Sequence, residues 1–159
     1  MQNGSLGEAR VRAFLLERFW VSTRSVDVHG ADFLIQTRDL SRRFTDLLPP
    51  RLGVVQAKFS QDEKTAHHIP RNYLYDGETT ISEFFLILAL GAEDKGKLYL
   101  ISAQELTQFP LSRNGDKETH RVVPGPHLAK YEVKNISTAL DAIEQSSSAT
   151  KRGRQRTFP

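Results

Sequence analysis

The chain has 159 residues, a net charge of +3 and no cysteine. Its length predicts one domain with room for a real core. Without thiols there is no disulfide framework and no thiolate metal site, which points to a reducing, cytoplasmic setting. The longest purely apolar run, 84–90, is too short to cross a bilayer, and the start Met-Gln-Asn-Gly-Ser lacks the basic and apolar regions of a secretion signal. No membrane partner is expected. The basic excess is concentrated at one end: Lys151, Arg152, Arg154 and Arg156 lie in a stretch, 149–159, that has no acid, and the rest of the chain is close to neutral.

In chain order, Ser5 is a good N-cap, and Leu6, Ala9, Ala13, Phe14 and Leu16 follow at roughly helical spacing, predicting a helix over about 6–19. Strands are predicted around 22–28 and 31–36, separated by a turn at His29-Gly30. Residues 38–52 form a long connection, and loops of that length are seldom idle. Its Arg38, Arg42, Arg43 and Arg51 could meet phosphates, and Phe44, Leu47 and Leu48 could form a short helix or a partner contact, either in a homodimer or on a larger complex. The alternative is an insertion packed on its own small core.

A strand over 54–59 is followed by the polar segment 60–80, which admits one or two short helices. The run 83–90 predicts a buried strand, continuous in apolar residues as strands covered on both faces tend to be. Another strand is expected over 97–101, and Ser102-Ala-Gln-Glu105 has the spacing of a capping box opening a short helix. Residues 112–127 read as loop, 131–134 as an edge strand and 137–145 as a helix. The expected organisation is an α/β domain over 1–145 and a basic, disordered tail over 146–159. That tail would either add phosphate affinity without sequence choice or be simply solvated.

Chemistry concentrates on two of the predicted strands. Side chains alternate along a strand, so Gln56 and Lys58 share a face. A lysine in an apolar strand is costly to desolvate unless an anion lies opposite; the alternative is a side chain reaching past the strand end into solvent. Asp32 is unusual in the other strand, because Asp is depleted there; the alternative is a strand-edge residue bonding to the adjacent turn. Asp27 and His29 flank that turn and could ligate an ion or support its ligands, the alternative for His29 being a plain turn residue. His67-His68 would point to opposite faces of a strand, and an exposed loop is their expected home.

The arrangement Asp32, spacer, Gln56-Ala57-Lys58 resembles the active site of the PD-(D/E)xK nuclease superfamily, in the variant with Gln at the usual Glu position. The α-β-β-β-α-β order over about 5–107 is similar to the superfamily core, and Ile-Ser-Ala-Gln-Glu-Leu at 101–106 and Gly7-Glu8-Ala9-Arg10 resemble Mrr-like members. The resemblance implies a restriction-endonuclease-like fold, with a mixed central β-sheet flanked by helices. It also implies Mg²⁺- or Mn²⁺-dependent hydrolysis of phosphodiesters, most naturally of DNA in restriction, repair or defence. Asp32 would be the main metal ligand, Gln56 a neutral ligand or water holder, the Ala57 carbonyl a further ligand, and Lys58 the group near water and phosphate. Glu8 would be either the acidic ligand that superfamily members often carry on the first helix or the capping-box partner of Ser5. The competing expectation is a catalytically inactive nuclease-fold domain that binds nucleic acid or docks on a protein partner.

Overall fold

A computed structural model describes residues 2–23, 30–38, 52–92 and 95–149. Asp27, His29, Arg42, Arg43 and the tail cations Lys151, Arg152, Arg154 and Arg156 lie outside those residues, as does nearly all of the 38–52 connection.

The fold is α/β, built on a five-stranded mixed sheet in the order β1-β2-β3-β7-β8. Its strands are β1 (Phe19–Thr23), β2 (Phe33–Thr37), β3 (Leu52–Ser60), β7 (Phe84–Leu90) and β8 (Lys97–Ser102). β3 and β7 run parallel, while the other neighbours in this sheet are antiparallel. The apolar run forms β7, whose residues are all buried. Leu86 and Leu88 face one core cluster and Phe85 and Ile87 the other, so a strand covered on both faces needs no polar alternation. Truncating Ile87 to Ala would cost about 2–5 kcal/mol.

One face of the sheet is covered by α1 (Gln2–Leu16) and α3 (Ile136–Ala149). Val11, Phe14 and Leu15 of α1, and Leu140 and Ile143 of α3, pack there on Phe33, Ile35, Val55 and Ala57. Gly7 lets α1 close on β3: a Cβ at that position would lie 2.5 Å from the Phe59 Cβ. Arg18, just past α1, pairs with Asp141 and Glu144 and tethers the two helices. The opposite face is covered by a second sheet in the order β4 (His67–Pro70), β10 (Lys117–Val122), β9 (Leu111–Asn114), together with α2 (Ala103–Leu106) and a 3-10 segment at Pro126–Tyr131.

Several elements differ from those the sequence predicts. The first helix starts at Gln2, so Ser5 lies inside it rather than capping it, and Phe19 already opens β1. Segment 60–80 carries no α-helix; it contains β4 (His67–Pro70), a 3-10 turn (Arg71–Tyr73) and a small hairpin of β5 (Tyr75–Asp76) and β6 (Thr79–Thr80). The parallel β3–β7 connection, usually helical, is therefore made of strands, and the expected α-β-β-β-α-β order lacks its second helix at that place. The expected loop 112–127 contains most of a hairpin, β9 (Leu111–Asn114) and β10 (Lys117–Val122), because β10 finds partners on both sides. In place of an edge strand at 131–134 there is an isolated bridge between Tyr99 and Glu132. α3 continues through Ser146–Ser148 to Ala149, past the expected end of the domain. The capping box forms as expected: Glu105 N–H donates to Ser102 Oγ, and Ser102 N–H donates to the Glu105 carboxylate at 2.8 Å.

Candidate functional site

β3 carries the central residues. Its register on β7 pairs Gln56 with Leu86, Lys58 with Leu88 and Ser60 with Leu90, so all three polar side chains leave on the face of the second sheet. Gln56 and Lys58 thus share a face, as strand parity requires. Gln56 is only 5% exposed, and its Oε1 is buried without a hydrogen-bond partner among the described residues. An unpaired buried carbonyl of this kind costs about 1–3 kcal/mol, and a cation or a water would remove that cost. Lys58 is half-buried.

Asp32 stands immediately before β2 rather than inside it. Its N–H donates to the Val55 carbonyl at 3.0 Å, continuing the ladder. Its carboxylate Oδ2 accepts the Ala57 N–H at 2.6 Å. The carboxylate takes the place of the next β2 carbonyl, beyond the end of that strand, and so sits at the residue between Gln56 and Lys58. A strand residue directs its N–H and C=O to the same side, so the Ala57 carbonyl also points toward the Asp32 side of β3.

Gly30, two residues earlier, has φ +66°, a left-handed conformation that favours glycine. A Cβ at Gly30 would collide with the Tyr73 ring and lie 2.9 Å from Gln56 Nε2. Tyr73 and the Gln56 amide therefore meet over Gly30, which brings the chain just ahead of Asp32 into contact with the 3-10 turn.

Glu8 is exposed on α1, which covers the other face of β3. The contact of Gly7 with Phe59 puts it near the same end of the strand, but the helix does not bring it to the face of Gln56 and Lys58. Among the described residues no group of three or more His, Asp or Glu side chains is close enough to hold a metal ion.

The histidine doublet lies in β4, not in a loop, because His67 and His68 pair with Val122 and Arg121 of β10. The two alternate as strand residues must. His68 is exposed, whereas His67 turns inward and its Nε2 lies 2.7 Å from Ser60 Oγ. Burial, and secondarily the Lys58 ammonium, hold the His67 imidazole below its ordinary pKa. Sequence reasoning stopped at Lys58 and missed this pair, although parity alone puts Ser60 on the same face.

Comparison with protein-family models, with curated proteins and with solved structures finds no match to this chain.

Proposed function

We propose that this domain is a metal-dependent nuclease with a restriction-endonuclease-like core, acting on phosphodiester bonds of DNA. One observation carries the reading. The Asp32 carboxylate is held at Ala57, directly between Gln56 with its unpartnered buried oxygen and the half-buried Lys58. The donors present suit a hard cation: one carboxylate, one amide oxygen and one backbone carbonyl.

Asp32, Gln56 Oε1 and the Ala57 carbonyl would hold Mg²⁺ or Mn²⁺. Glu8 is left out of this set because α1 lies on the opposite face of β3. A divalent ion held there would supply activation of water for attack on the phosphodiester. Lys58 supplies a fixed positive charge for the negative charge that develops on the phosphate oxygens. The Asp32–Ala57 hydrogen bond orients the carboxylate, and the Tyr73 ring lies beside the Gln56 amide over Gly30.

Nicking of supercoiled plasmid across a Mg²⁺ and Mn²⁺ series tests the reading. Wild type should nick only with the ion, and Lys58→Ala should lose on the order of 10²-fold in rate or more. Equal nicking by both proteins would mean a contaminating nuclease and end the proposal. Gln56 favours a second reading, an inactive nuclease-fold domain that binds nucleic acid or a protein partner, since a neutral amide adds no charge to the ion's site. Wild type that binds DNA and fails to nick it at any metal concentration would support that reading instead.

A further inference from the structure

Two hairpins project from the face of the sheet that carries Gln56. The β5–β6 turn passes through Gly77 and the β9–β10 turn through Gly115. Both have positive φ, with no atom within 4 Å of where a Cβ would stand. Between them lies a cleft of about 940 Å³, lined in part by Pro70 and Thr119, the pair at the end of the β4–β10 ladder. That volume is at the upper end for small-molecule sites, which measure roughly 300–1,000 Å³.

The walls are unusual in their chemistry. Arg71 lies over the Tyr75 ring, 4.9 Å from its centroid, and donates to Glu118 Oε2 at 3.1 Å. Glu118 also accepts from Arg113, its cross-strand partner within the β9–β10 hairpin. One carboxylate thus pins two guanidiniums, and each keeps much of its surface in solvent: the Arg71 side chain is 51% exposed and that of Arg113 73%. A guanidinium has five N–H donors, so Glu118 leaves most of them for another anion. Lys117, exposed beside Glu118, adds a third cation, and with Asp116 as the second acid of the lining the cations exceed the acids by one.

With the Tyr75 ring on one side and Glu118 holding one of its nitrogens, the Arg71 guanidinium is held at the wall of the cleft. Flat cations over aromatic rings are surfaces on which nucleobases stack. The cleft lies beside the candidate site: Tyr73 lines it, and the same ring lies over Gly30 next to the Gln56 amide.

We propose that this cleft binds a single strand of nucleic acid, one base stacked on Arg71 and the backbone phosphates on Arg113 and Lys117, beside the candidate site. The inference rests on the nuclease reading for the purpose of the cleft, but its binding test needs no cleavage. Tyr75 and Glu118 hold the Arg71 guanidinium in place, and the two hairpins keep the strand between them.

The test uses the full chain in excess chelator. Fluorescence anisotropy is followed with a labelled oligothymidylate of about twelve nucleotides, within the usual span of single-strand sites, and with an abasic strand of the same length. Wild type should bind the base-bearing strand about tenfold more tightly than the abasic one, the scale of one stacked base. Arg71→Lys keeps the charge and removes the plane, so it should bring the base-bearing strand to the abasic level. Arg113→Ala with Lys117→Ala should weaken both strands alike and flatten the salt dependence by about 1.4 in log–log slope. Arg12→Ala, on the exposed side of α1, should change neither. Circular dichroism of each variant ensures that only folded protein is compared.

Wild type that does not distinguish the two strands overturns the proposal. So does an Arg71→Lys protein that keeps the preference, or a polyglutamate that competes as well as the oligonucleotide, which would mark the cleft as a site for acidic polypeptides. Cleft-dependent binding without metal-dependent nicking would support the strand site and refute the nuclease. Nicking with binding indifferent to the cleft variants would overturn the strand site and leave the nuclease standing.

Discussion

Replacing Asp32 separates two roles that the structure places on one carboxylate. Its Oδ2 accepts the Ala57 N–H at 2.6 Å in a part-buried setting, a charge-assisted bond of about 1.5–3 kcal/mol. Asp32→Ala leaves that amide without its acceptor at the end of the β2–β3 ladder. A cost of about 2 kcal/mol is expected, toward the lower end because the group is only part-buried. For a domain of this size, that lowers Tm by about 4–8 °C. Asp32→Asn keeps an oxygen for the Ala57 N–H and loses only the charge, so it should cost about 1 kcal/mol. Cleavage should behave differently: both variants lose the sole carboxylate of the proposed donor set, so both should fail to nick plasmid at any Mg²⁺ concentration. The measurements are thermal unfolding by circular dichroism and nicking across a metal series. An Asp32→Asn protein that nicks at the wild-type rate would refute the metal role. An Asp32→Ala protein as stable as wild type would refute the ladder role.

Gln56→Glu adds a carboxylate where Oε1 is now unpartnered, so half-maximal nicking should move to lower Mg²⁺; a shift to higher Mg²⁺ would remove Gln56 from the donor set. His67 is held by burial below its ordinary 6.5, whereas the unfolded chain protonates near that value. The unfolded state then binds more protons as pH falls from above 6.5, so stability is lost on acidification through that window. Urea midpoints at about pH 7.5 and about pH 5.5 should show the loss, and His67→Gln should shrink it; an unchanged difference between the two would assign the slope to other groups. Replacing Lys151, Arg152, Arg154 and Arg156 with Ala should lower DNA affinity and flatten its log–log salt slope by up to about 3–4, and an unaltered slope would mean that these residues do not meet phosphate.

What could be read from the sequence alone is what neighbouring residues impose on one another. The run 84–90 had to be a strand covered on both faces, because no polar position interrupts it. Ser102 and Glu105 carry both halves of their capping box within one turn. Gln56 and Lys58 share a face by parity alone. The other elements depended on partners far along the chain. β4 is four residues long, and it is a strand because β10, some fifty residues later, supplies its hydrogen bonds. The same pairing turns His67 inward to Ser60 and makes a hairpin of what reads as loop. At the site, the sequence supplied Asp32, Gln56 and Lys58 as residue types. Only the tertiary structure set the Asp32 carboxylate on the Ala57 N–H, buried the Gln56 oxygen unpaired and left Glu8 on the far face. A backbone amide bonds to whatever acceptor the fold brings within about 3 Å, and that distance is decided by the packing of β2 on β3 and not by any local run of residues.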